Sequence, residues 1–210
     1  MPIYRIYKEG ELVVGIWKVD ETVGELRSMF HQFSIYEEGF NRLKAEKRQR
    51  EWLAVRVLLK ELCGDEKKIA YLSSGKPYLE DESAFISFSH TVGYVAVALH
   101  PSVEVGVDIE QYGTRVKRVA SKFIREDEQV SIANGDEVYA LLLHWSAKET
   151  IFKLMEDEAV DFIDHLHIFP FHPQESGTFR ACEYRSGTEQ QYLIRYETHP
   201  DYVLTFCSLE

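Results

Sequence analysis

The chain has 210 residues, 45 % of them hydrophobic, with 24 Lys+Arg against 35 Asp+Glu and a formal net charge of −11. That balance argues against a nucleic-acid-binding protein, which would ordinarily present a basic face, and the apolar share suffices for one core or two small ones. No apolar run approaches membrane-spanning length, and Met1-Pro2-Ile3-Tyr4-Arg5 leads into Lys and Glu, so neither a signal peptide nor a membrane partner is expected and a cytoplasmic location is. Cys63, Cys182 and Cys207 are widely spaced and odd in number; they read as reduced thiols, without a disulfide framework or a zinc site.

Gly10, Gly24 and Gly39 punctuate a first stretch of short strands and loops, after which Phe40 to Leu62 has helical spacing. Ser73-Ser74-Gly75-Lys76-Pro77 reads as a turn. Apolar alternation predicts strands over 85–88 and 94–99, and again over 105–110. Helical spacing returns at Trp145 to Lys153, Pro170 to Gly177 reads as a loop, and two closing strands are predicted over 191–196 and 202–206. Asp164, His165 and His167 have the residue types of a transition-metal site, but on a strand entering Phe169-Pro170 they read as partly exposed histidines and receive no role.

Two segments carry chemistry. In Val105-Gly106-Val107-Asp108-Ile109-Glu110 the period of a strand turns Asp108 and Glu110 to one side and Val107 and Ile109 to the other. In Trp145-Ser146-Ala147-Lys148-Glu149-Thr150-Ile151-Phe152-Lys153 the helical period puts Trp145, Glu149 and Lys153 along one line. Clustered carboxylates repel one another, and the usual relief is a hard divalent cation on oxygen ligands, magnesium or manganese rather than zinc. A lysine one turn beyond the third acid suits a phosphate as a point charge. Taken singly, the first segment reads more simply as an edge strand with a wet face, and the second as an ordinary amphipathic helix with an exposed Glu/Lys pair.

Between them the charge reverses: from Gln111 to Arg125 there is no acid, while Arg115, Lys117, Arg118, Lys122 and Arg125 are basic. In so acidic a chain this island suits an acidic partner surface, with a solvated helix face as the plainer alternative. The nine residues from Trp52 to Lys60 and the nine from Trp145 to Lys153 share Trp, Ala and Lys at matching offsets, and each helix is followed by alternating strands. An internal duplication into two similar α+β halves is the economical reading. Arg56 stands at the offset of Glu149, so a single metal site is expected.

Taken as a set, the segments resemble the Sfp-type 4'-phosphopantetheinyl transferases: a G-(I/V)-D-(I/V)-E strand in Gly106 to Glu110, an F-x-x-x-x-E turn in Phe123 to Glu128, and W-(S/T)-x-K-E-x-x-x-K in Trp145 to Lys153. Gly75-Lys76-Pro77, Phe88-Ser89-His90-Thr91 and Arg50 followed by Trp52-Leu53-Ala54 extend the likeness over roughly residues 48 to 155. The resemblance implies a pseudo-dimeric fold with the active site at the lobe interface, residues 1–103 forming a lobe for the nucleotide of coenzyme A and residues 104–210 a lobe with the magnesium site and catalytic helix. It implies transfer of 4'-phosphopantetheine from coenzyme A to a serine of an acyl or peptidyl carrier protein, releasing 3',5'-ADP.

On that reading Asp108, Glu110 and Glu149 hold magnesium, with manganese as the alternative, and Lys153 neutralises charge on the pyrophosphate. Glu149 is the base for the serine proton, directly or through a water, and Arg50, Lys76, Ser89 and His90 grip the nucleotide end. Arg115, Lys117, Arg118 and Lys122 meet the acidic helix of the carrier. Lys148 and Glu128 also match family positions, Glu128 as an orienting group, and Ser87 stands where the family often has Asn. A monomer is expected, since an internal pseudo-dimer removes the need for a real one. The rivals are a magnesium-dependent phosphohydrolase, and a carrier- or nucleotide-binding module without turnover.

Overall fold

A computed structural model describes residues 3–132, 137–155 and 159–209. They fall into two compact units, Met1–Val103 and Glu104–Glu210.

The first unit opens with a hairpin of β1 (Arg5–Glu9) and β2 (Leu12–Lys18), closed by Gly10 at φ 55°, a left-handed conformation that a tight hairpin requires. Thr22 then caps α1 (Val23–Ser28): its hydroxyl accepts from the Glu25 N–H while the Glu25 carboxylate accepts from the Thr22 N–H, a reciprocal capping box. A 3-10 turn (Phe33–Ile35) and the short α2 (Glu37–Asn41) lead to α3 (Glu46–Cys63), which Gly64 ends in the left-handed conformation. The hairpin β3 (Ile69–Tyr71) and β4 (Pro77–Leu79) follows, then β5 (Phe85–Thr91) and β6 (Tyr94–His100). The main sheet has the antiparallel order β1-β2-β6-β5, and α3 lays Leu53, Ala54, Val57 and Leu58 into a core with Leu26, Val95 and Val97.

The helix expected from Phe40 is divided. Residues 44–48 are exposed and give the core nothing to hold, so the chain leaves helix after α2 and restarts beyond an extended Ala45. The Gln49 side chain donates to the Leu43 carbonyl at 2.8 Å and fastens the break.

The second unit begins with β7 (Val105–Gln111), passes two 3-10 turns (Thr114–Arg118 and Ala120–Lys122) and enters α4 (Val138–Leu154). Four strands complete it: β8 (Leu166–Ile168), β9 (Ser176–Glu183), β10 (Gln191–Thr198) and β11 (Tyr202–Ser208), in the antiparallel order β7-β11-β10-β9-β8. The loop expected over 170–177 is shortened by β9, a strand that alternation does not reveal. Its inward residues Phe179 and Ala181 are followed by Cys182 and a buried Glu183, whose carboxylate accepts from the Ser186 N–H at 3.0 Å and from its hydroxyl.

Both units pair strands in the same way: the strand before the long helix is hydrogen-bonded to the last strand of its unit, and that strand to the one preceding it, β2-β6-β5 and β7-β11-β10. The three cysteines are free thiols. Among the described residues, no helix is long and apolar enough to cross a membrane.

Candidate active site on strand β7 and helix α4

The site depends on how closely β7 lies against α4. A Cβ on Gly106 would sit 2.3 Å from the Thr150 carbonyl oxygen, so only glycine permits the approach. Hydroxyls then fix the helix on the sheet: Ser146 and Thr150 meet the Thr205 hydroxyl of β11 at 2.8 and 2.7 Å, and all three residues are fully buried. With Gly106 turned to the helix, strand alternation turns Asp108 and Glu110 the same way.

Asp108 is 3 % exposed, and the Lys153 ammonium donates to its Oδ1 at 2.8 Å and to the Val107 carbonyl at 2.8 Å. Glu110 Oε1 accepts from the Trp145 indole N–H at 2.8 Å, and that indole is packed against Phe123 and Phe162. Burial first, and the Asp108 charge second, push Glu110 up to about 7, against the Trp145 hydrogen bond. Burial and then Asp108 also raise Glu149, while Lys153 opposes them. The structure thus brings Asp108, Glu110, Glu149 and Lys153 into one electrostatic neighbourhood.

That donor set suits magnesium in kind: it is all hard oxygen, and both glutamates have charged forms disfavoured by burial and by the Asp108 charge, which a divalent cation would offset. As the side chains stand, no three His, Cys, Asp or Glu among the described residues form a group that could hold a metal ion. Lys153 is on Asp108 and Trp145 on Glu110.

Replacing Trp145 by Phe keeps an aromatic ring in place and removes the N–H that favours the ionised Glu110. We expect the Glu110 carboxyl to titrate higher by up to about one pH unit, the worth of one such hydrogen bond. Carboxyl-carbon NMR would show it, and an unmoved midpoint would mean that the indole N–H has no weight there.

Lys148, on the same helix, has another task. Its ammonium is fully buried and donates to the Phe123 carbonyl at 2.6 Å, the Phe162 carbonyl at 3.0 Å and Glu128 Oε2 at 2.9 Å. Glu128 accepts in turn from the N–H groups of Arg125 at 2.9 Å and Ile168 at 2.7 Å. Burial pulls the Lys148 ammonium below the ordinary lysine range, and Glu128 resists the shift. The pair ties the loop of residues 123–128, the loop at Phe162 and strand β8 to α4.

In the basic island Arg115, Lys117, Arg118 and Lys122 are exposed, with Lys117 3.3 Å from Glu137. Arg125 differs: it donates to the Ile163 carbonyl at 2.8 Å and pairs with Asp127 at 2.8 Å, so it is a structural residue of its loop.

Arg50, Lys76, Ser89 and His90 lie in the first unit. The Arg50 guanidinium donates to the Glu21 carbonyl at 2.8 Å and the Val19 carbonyl at 2.9 Å, which commits part of its donor fork to the backbone. Lys76 is half-buried just before β4. Ser89 and His90 are consecutive on β5 and address opposite faces of its sheet. His90 turns to α3, where Arg48 lies 3.1 Å from its Nε2 and Glu51 3.7 Å from its Nδ1. Sequence reading passed over Arg48 and Glu51; their i, i+3 spacing beside Arg50 is the signal that marks them as a pair.

No curated protein sequence matches the chain significantly. A family model described as the 4'-phosphopantetheinyl transferase superfamily matches residues 104–207, from the start of β7 nearly to the end of β11. That span contains every carboxylate and cation gathered between β7 and α4. Over that span the chain matches the 4'-phosphopantetheinyl transferase superfamily.

Proposed function

We propose that the protein is a magnesium-dependent holo-carrier-protein synthase, moving 4'-phosphopantetheine from coenzyme A to a serine hydroxyl of an acyl or peptidyl carrier protein. The observation that carries this reading is the facing of Asp108 and Glu110 on β7 with Glu149 and Lys153 on α4, inside the family span. Asp108, Glu110 and Glu149 would hold the magnesium, which when bound supplies charge neutralisation at the pyrophosphate. Lys153 adds a cation that does not depend on the metal.

The serine oxygen attacks the pantetheine-side phosphorus, the bond from that phosphorus to the bridging oxygen breaks, and 3',5'-ADP leaves with the electron pair. Glu149 takes the serine proton, directly or through a water; burial and the Asp108 charge raise its affinity for protons. The nucleotide end of coenzyme A is assigned to Arg50, Lys76, Ser89 and His90 of the first unit on the strength of the resemblance. The shared strand pairing of the two units supports the reading of two similar lobes. The reading includes a cytoplasmic, monomeric enzyme. The family match gives no support to a phosphohydrolase.

Incubation with coenzyme A, magnesium and a panel of apo carrier proteins, read by intact mass, tests the proposal. Gain of one phosphopantetheine on a carrier serine is the expected result. Release of phosphate without any carrier, and no carrier modified, would sink it.

The exposed island supplies a separate prediction. Arg115→Glu with Arg118→Glu should raise the KM for carrier while scarcely moving that for coenzyme A, and the wild-type rate at low carrier should fall with salt, since exposed charges are screened over about 10 Å at 0.1 M. Unchanged carrier kinetics with no salt effect would reduce the island to a solvated surface.

A further inference from the structure

Apart from the residues assigned to transfer, the first unit contains a cavity of about 310 Å³ bounded by the 3-10 turn, α2, α3 and the β3–β4 hairpin. Tyr36, Trp52 and Tyr71 line it. Gly39, also in the lining, lets the chain pass close over the indole: a Cβ there would come 3.0 Å from the Trp52 ring.

Arg56 brings a buried positive charge to this cavity. Its guanidinium carbon lies 3.3 Å from the centroid of the Trp52 ring, and Nη1 donates to the Trp52 carbonyl at 3.1 Å. Arg56 is 4 % exposed, and among the described residues no carboxylate pairs with it. Its Nε, buried, has no hydrogen-bond partner. Besides the Trp52 ring and carbonyl, what opposes its desolvation is the nearness of Tyr71, with a side-chain hydrogen bond, and of Tyr36. The other cations of the lining are already answered, Arg42 by Glu38 and Lys68 by Glu80 at 3.8 Å. A buried cation without a counter-charge is costly, and a guanidinium edge with a free N–H matches a carboxylate in shape and charge.

We propose that this cavity is a binding site for a small planar carboxylate, an aromatic or heteroaromatic acid, whose carboxylate pairs with Arg56 while its ring lies among Tyr36, Trp52 and Tyr71. The volume is at the lower end for small-molecule sites and suits a single ring system. Inorganic phosphate would answer the charge but leave the aromatic walls unused, and a neutral ring would leave Arg56 uncompensated.

The test uses the full chain with benzoate as probe, following the Trp52 indole N–H by NMR, with benzyl alcohol and inorganic phosphate in parallel. Saturable shifts with benzoate are expected, with benzyl alcohol and phosphate each binding about tenfold or more weakly, the worth of a charge-assisted hydrogen bond or a buried ring. Arg56→Met should lose benzoate binding by a similar factor. Because the comparison of the three probes is made on the wild-type protein, it decides the matter even if the variant does not fold. No saturable shift with benzoate, equal binding of benzyl alcohol, or equal binding of phosphate would each overturn the proposal.

Discussion

Glu149→Gln lowers the chemical step by a factor on the order of 10² to 10⁴, the usual range for loss of a general base, while coenzyme A binding changes far less. Glutamine keeps the length and volume of the side chain on α4 and removes both its negative charge and its capacity to take a proton. Its surroundings, half-buried and pressed by the Asp108 charge, raise its proton affinity, which a base needs and a spectator carboxylate does not. Single-turnover rates set beside a binding isotherm for coenzyme A separate the two roles; lost binding with the chemistry retained would make Glu149 a binding residue only. In the companion variant Asp108→Ala, Lys153 loses its partner at 2.8 Å and the site loses its most buried acid. Turnover should vanish and magnesium dependence weaken with the circular dichroism spectrum unchanged, and full activity would remove the metal site from the reading.

Lys148→Met destabilises the second unit by about 3–5 kcal/mol, because it leaves the Glu128 charge buried with its ammonium gone. For a protein of this size the melting temperature should fall by roughly 6–20 °C. The surviving donors, the Arg125 and Ile168 N–H groups, hold the carboxylate in place and so prevent its escape to water. Lys148→Met combined with Glu128→Leu should recover much of the loss, since an apolar pair of similar volume avoids the desolvation of two ions. Calorimetry on the two single variants and the double variant closes the cycle. A Lys148→Met protein as stable as the wild type would show that the pair is no anchor.

Lys148 also shows why the sequence disclosed some residues and hid others. Its neighbours Glu149 and Lys153 announce themselves by helical spacing with Trp145, a local property that survives without knowledge of the fold. The partner of Lys148 lies twenty residues upstream in a loop, and the indole of Trp145 meets Glu110 thirty-five residues away; no period links such pairs. Arg125 looks like one more member of the basic island, yet it is drawn inward by carbonyls of residues 163 and 164, whose position only the folded chain sets. Strands β5, β6, β10 and β11 were legible because their alternation is regular. β9 was not, because a buried Glu183 satisfied by a serine has the composition of a loop. The family likeness supplied what local periodicity does not, an activity for the acids once they stood together.

The contact of Gly106 with the Thr150 carbonyl works as a gauge block. It sets the clearance between strand and helix by the absence of a methyl group, and it does so only two and four residues from Asp108 and Glu110, about 7 and 13 Å along an extended strand. Any side chain inserted at Gly106 acts as a shim, opening a wedge between the acids on β7 and the Glu149 and Lys153 groups facing them. Calibration of the site is therefore stored outside the reacting groups, at a residue with no functional atom to contribute. A chemist wishing to learn how much separation these groups tolerate would adjust that one position and leave every carboxylate untouched.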